Sequence, residues 1–171
     1  ALQPKGFVNA FDPNGVKGDS AVILHELTQP LDFSDKNLMF RVIGNGYLQP
    51  RVSEAGFYYS VDRGEQWSGP YRFRGLADAK ELKGMGLMTP RTDYLIENAS
   101  SAMFFLSIDT PEGSDKAFVA RTTDGGLSFR FVGWIVDPHT DPFRAVMPAT
   151  VQTSSGKLIT AVRRREAKSR D

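Results

Sequence analysis

A chain of 171 residues with 40% hydrophobic and 24% charged side chains has the balance of one globular domain and excludes a disordered or solvating polypeptide. Twenty-one Lys and Arg against 20 Asp and Glu leave a formal net charge of +1, so neither nucleic acid nor an anionic membrane is expected as a partner. The absence of cysteine removes disulfides, thiolate metal sites and cysteine nucleophiles.

Taken in order, the chain alternates short runs rich in Val, Ile, Phe and Tyr with Gly and Pro punctuation, which is a strand-and-turn pattern. No apolar run approaches the roughly 20 residues that cross a bilayer. The opening Ala1-Leu2-Gln3-Pro4-Lys5 carries no basic-then-apolar signal-peptide pattern. Strands are predicted near 20–27, 37–43, 56–61 and 71–74. A short helix of about two turns is predicted over 76–82, bounded by Gly75 and Gly84. A second set of strands follows near 92–97, 102–108, 117–122 and 129–136, and two more lie near 146–153 and 157–163.

Two segments answer each other. Ser60-Val61-Asp62-Arg63-Gly64-Glu65-Gln66-Trp67 and Thr122-Thr123-Asp124-Gly125-Gly126-Leu127-Ser128-Phe129 both fit Ser/Thr-x-Asp-x-Gly-x-x-aromatic. Their aspartates are 62 residues apart, a length that suits a four-stranded unit with one long loop. The chemistry is that of a hairpin connection. The Asp side chain accepts backbone N–H bonds from the residues after it, Gly permits positive φ at the reversal, and the aromatic ring tucks under the turn. A calcium loop would need more oxygen ligands at alternate positions, and Arg63, Gln66 and Leu127 do not supply them.

The two octapeptides resemble Asp-box repeats, also called bacterial neuraminidase repeats. The segment Phe57–Phe73, with Trp67-Ser68-Gly69-Pro70 closing the box, is similar to the third and fourth strands of a sialidase-type propeller blade. Met147-Pro148-Ala149-Thr150-Val151, Ser155-Gly156-Lys157-Leu158-Ile159 and Arg163-Arg164-Arg165 are similar to the opening strands of another. The resemblance implies an all-β fold of four-stranded antiparallel blades. It places them at about 20–75, at about 90–136, and in an incomplete blade from about 146, so that 1–171 forms one partial β-propeller domain of about two and a half blades. The remaining blades of a larger propeller, or other copies of the chain, are then expected as partners.

For function, the resemblance implies a carbohydrate-active protein, a glycoside hydrolase of the exo-sialidase type acting on a glycan. The alternative is a non-catalytic propeller module that binds glycan or protein. A secreted or periplasmic location goes with either. Sialidases hold a substrate carboxylate with three arginines, whose planar forks suit bidentate contact. They attack with a tyrosine paired to a glutamate and use an aspartic acid as acid/base. On this chain Arg91 and Arg144, each near the start of an innermost strand, are similar in position to the substrate-binding arginines, and Asp93, on the same strand face as Arg91, is expected either to orient it or to act as the catalytic acid. Arg144 is followed by Ala-Val-Met before its proline, a departure from the family's Phe/Tyr-Arg-Ile-Pro motif. The tyrosine nucleophile and the third arginine are expected outside this chain.

Other chemistry finds little support. Gly84-Met85-Gly86 and Gly44-Asn45-Gly46 lack the context of a phosphate loop. His25 sits in a strand-like run, and His139 lies in the loop before an innermost strand without a third ligand for a metal. No cofactor or metal is expected. Tyr94, Trp67 and Trp134 read as core rather than as sugar platforms.

Overall fold

The computed structural model describes residues 23–44, 55–89, 93–111 and 115–166. These residues form an all-β protein of antiparallel sheets. The first sheet joins β1 (Met39–Ile43), β2 (Gly56–Ser60) and β3 (Ser68–Arg72) in chain order. The second places β4 (Met88–Thr89) and β5 (Tyr94–Ile96) end to end along β6 (Ala102–Asp109), followed by β7 (Asp115–Thr122) and β8 (Arg130–Trp134). The third is the hairpin of β9 (Arg144–Gln152) and β10 (Leu158–Arg165).

The second sheet sits centrally because its middle strands are apolar on both faces. Phe104, Leu106 and Ile108 of β6 alternate toward a cluster that also contains Phe40 and Phe57 of the first sheet. Phe105 and Ser107 point the other way and are equally buried, on the face against which β9 packs. Near-continuous burial along a strand marks a sheet covered on both sides.

Phe129, the aromatic of the second octapeptide, stands where the sheets meet. Its ring lies 5.7 Å from Phe57, 4.9 Å from Phe73 and 5.5 Å from Phe104, each at a steep angle. Such edge-to-face pairs add to the burial of the rings themselves. Next to it, Gly125 donates its N–H to Ser100 O at 2.9 Å and accepts from Leu31 N–H at 2.9 Å. A Cβ there would meet Pro30 at 2.7 Å, so only glycine lets the turn seat against the 30–31 segment.

The two octapeptides occupy equivalent places, each between the last two strands of its sheet. The pairing register slips by one residue in both hairpins, just after Phe57 in one and Val119 in the other. Both residues stand five positions before their aspartate. This repetition of an irregular feature goes beyond the repeated sequence, because a bulge is a specific structural device.

Two expectations differ from the structure. Residues 76–82 form no helix; Leu76, Ala79 and Leu82 donate N–H bonds three residues back, to Phe73, Leu76 and Ala79, as successive turns. That spacing buries Leu76 and Leu82 without α-helical bonds. Of the strand predicted over 20–27, residues 20–22 lie outside the described residues. The rest does not pair with β1. His25 instead makes a one-residue parallel bridge to Tyr71 at the opposite edge of the first sheet, exchanging bonds with Pro70 O and Arg72 N–H. On the third sheet, the cross-strand neighbours Val151 and Ile159 are both largely exposed.

Phe129→Ala is expected to lower stability by about 3–5 kcal/mol, the range for emptying a buried aromatic site. Trp67→Ala, at the half-buried equivalent position, should cost less. Urea unfolding of both variants checks the ranking, and equal losses would refute the central role of Phe129.

Candidate functional site

Each octapeptide turn is closed by its own side chains. Ser60 Oγ donates to Asp62 Oδ1 at 2.6 Å and accepts Gly64 N–H at 2.7 Å, while Gln66 N–H donates to Asp62 Oδ1 at 2.9 Å. In the second turn Thr122 Oγ1 donates to Asp124 Oδ1 at 2.8 Å and accepts Gly126 N–H at 3.0 Å. Ser128 N–H then donates to Asp124 Oδ1 at 3.0 Å. Both turns place two consecutive residues at positive φ, Arg63 and Gly64 in one and Gly125 and Gly126 in the other. Hydrogen bonds from Gln66 and Ser60 hold the Asp62 carboxyl below its ordinary value. Burial pushes Asp124 up, but bonds from Ser128 and Thr122 outweigh it and leave this carboxyl lowered too. These aspartates are scaffold. Among the described residues no group of three His, Cys, Asp or Glu could hold a metal ion.

Arg91 lies outside the described residues. Asp93 is described: its carbonyl accepts Phe105 N–H at 2.9 Å as the chain enters β5. Its carboxyl is half-buried against β9. Burial raises its pKa, and hydrogen bonds from the Thr150 hydroxyl and backbone only partly oppose that shift. Thr150 Oγ1 is itself 3.0 Å from Thr160 Oγ1 on the neighbouring strand. The second carboxyl oxygen, Oδ2, is buried without a hydrogen-bond partner. A carboxyl that resists ionisation in such a setting is suited to donating a proton. Tyr94, the next residue, packs between Phe40 and Phe104 as core.

Arg144 opens β9, and its guanidinium is engaged by the fully buried carboxylate of Asp115 at the start of β7. Lys116, also buried, donates to Asp141 O and to Phe143 O. Arg164 pairs with Asp141 at 2.7 Å and lies over the Phe143 ring at 4.4 Å. These charges fasten the 137–143 loop between β7 and β10. His139 in that loop donates its backbone N–H to the Asp137 carboxylate at 2.8 Å. Neither Asp115 nor Lys116 is singled out by sequence reasoning. Their one signal is two charged residues heading the apolar run Ala117-Phe118-Val119-Ala120.

Asp93 and Arg144 are not brought together. Asp93 meets β9 at Thr150, six residues along the strand from Arg144, or up to about 20 Å of extended chain. No family model, curated protein or solved structure matches the chain.

Arg144→Met should destabilise the protein by about 3–5 kcal/mol, because it strands a buried carboxylate. Combining it with Asp115→Leu should recover most of that loss. A double-mutant cycle by denaturant unfolding measures the coupling, and additive losses would refute the pair.

Asp93 gives a second expectation, with the sign fixed by its raised pKa. The folded state holds this proton more tightly than the unfolded chain, so the stabilisation is present below the ordinary value of 3.8 and is lost as pH rises through the folded value. Asp93→Asn should therefore raise the melting temperature at pH 7 and lose that advantage near pH 3. A gain that is larger in acid would reverse the assignment.

Proposed function

We propose that this chain forms part of a sialidase-type β-propeller directed at glycans, with glycoside hydrolysis of the exo-sialidase type as its activity. The observation that carries the reading is the repeated octapeptide hairpin, with its matching side-chain bonds and its matching register slip. In this reading the sheets are blades at about 20–75 and about 90–136, with a further blade opening near 146. The protein works outside the cytoplasm, in a secreted or periplasmic setting.

Asp93 is the acid. Its buried, reluctantly ionised carboxyl supplies a proton to the glycosidic oxygen as the sugar departs, and Thr150 orients it. Arg91 grips the substrate carboxylate. The nucleophilic tyrosine, its glutamate and a third arginine come from blades beyond those described.

One observation favours a non-catalytic glycan-binding module instead. The Arg144 guanidinium is already paired with Asp115 and stands apart from Asp93.

The experiment, carried out on the complete propeller that supplies the nucleophile, is titration with a sialylated glycan and its neutral counterpart, together with release of sialic acid over time. Arg91→Ala should weaken binding of the acidic glycan by about 1.5–3 kcal/mol, the scale of a charged hydrogen bond, and leave the neutral one unchanged. Asp93→Asn should abolish hydrolysis while binding persists. Binding without hydrolysis selects the module, and no binding of either glycan refutes both readings.

A further inference from the structure

Thr150 and Thr160 stand directly opposite each other on β9 and β10. The flanking pairs, Ala149 with Ala161 and Val151 with Ile159, are exposed, so alternation turns the two threonines to the other face of the hairpin, toward the second sheet. Thr150 is buried there and Thr160 half-buried, with their hydroxyl oxygens 3.0 Å apart. The Asp93 carboxyl is next in line. Among the described residues it takes hydrogen bonds from the Thr150 hydroxyl and backbone alone, and its Oδ2 has no partner.

The protons available fix the direction of this chain. An ionised carboxylate only accepts, so Thr150 directs its single hydroxyl proton to Asp93. The lone pairs of Thr150 are then the acceptor for the Thr160 proton. A hydroxyl that accepts one hydrogen bond donates a stronger one, so the second threonine strengthens the bond made by the first. A protonated carboxyl gains less from the same arrangement, because it offers the donor no charge. The surfaces around Asp93 are uncharged at this level. β6 presents Phe105 and Ser107 on this face, and β9 presents Pro148 and Thr150. The charges on the packed elements are engaged elsewhere: Arg144 with Asp115, Arg164 with Asp141, Glu97 with Arg121, and Lys116 with the carbonyls of Asp141 and Phe143. Arg163 and Arg165 lie past the register slip of β10.

We propose that Thr160 is a positioning residue for Asp93: by donating to Thr150 it holds the Thr150 hydroxyl with its proton toward the carboxyl, and so eases ionisation of a group on another sheet. A service to the proton donor of a glycosidase rests on the reading of Asp93 given above; the hydroxyl chain itself does not. A plain cross-strand threonine pair would instead support the hairpin and leave the carboxyl untouched.

The test is an NMR titration of the Asp93 side-chain carboxyl carbon against pH in the full chain. Thr160→Val keeps the shape and removes the second hydroxyl. It should raise the proton affinity of Asp93 about twofold, the scale of cooperative strengthening along a hydrogen-bond chain. Thr160→Ser restores the hydroxyl and should restore the titration. Thr150→Val removes the direct donor and should raise the proton affinity about tenfold or more, the scale of a charged hydrogen bond. Adding Thr160→Val to Thr150→Val should then change nothing further, since Thr160 acts only through Thr150. Thermal melts confirm that each variant is folded, and Thr160→Ala carries the same expectation if Thr160→Val is not. An unmoved titration in Thr160→Val, an equal shift with and without Thr150, or failure of Thr160→Ser to restore it overturns the proposal. The readout is the carboxyl itself, so absence of sialic acid release bears on the glycan reading alone.

Discussion

The Phe129 ring is the contact on which the arrangement of sheets depends. It belongs by sequence to a surface turn, yet it reaches Phe57 and Phe73 of the first sheet and Phe104 of the second. A turn residue of this kind couples two scales. The Thr122–Asp124–Ser128 bonds fix the local loop, and the loop delivers the ring to the junction. Gly125 adds the backbone contacts that lock the turn against the 30–31 segment. The first turn has the same bonds but ends in the half-buried Trp67, so the repeat is symmetric in its hydrogen bonds and asymmetric in its packing.

The carboxylates divide by environment. Asp62 and Asp124 accept backbone and hydroxyl hydrogen bonds and are held in the ionised form. Asp93 is half-buried with one oxygen unpartnered and is held toward the protonated form. Asp115 is buried deepest and is met there by the Arg144 guanidinium. Groups of one chemical type are thus distributed between scaffold, candidate proton donor and ion pair by what surrounds them.

Legibility in the sequence followed the range of the interactions. The octapeptide turns were readable because every bond in them spans four residues or fewer. Strands β6, β7, β9 and β10 were readable because their apolar runs are long and bounded by turn residues. The 76–82 segment misled because Leu76 and Leu82 with flanking glycines suit a helix or a chain of turns equally well. The Asp115–Arg144 pair joins residues 29 positions apart and exists only once β9 crosses β7. The raised pKa of Asp93 likewise comes from burial that exists only in the folded chain, partly opposed by Thr150, a distant neighbour in sequence that becomes an adjacent one in space. Arg91, read only from its place at the start of a strand, lies outside the described residues.

The β9–β10 hairpin bears on colloidal behaviour. Val151 and Ile159 form an exposed apolar pair. Among the described residues β10 pairs only with β9, so its other edge presents eight residues of backbone as a template for strand addition. Three consecutive arginines, Arg163 to Arg165, close that strand; Arg164 is paired with Asp141, while Arg163 and Arg165 carry the rest of the charge. A like-charged run at the end of an open edge repels an identical edge and acts as a gatekeeper against sheet-to-sheet growth. That protection is electrostatic, so it weakens as salt shortens the screening length.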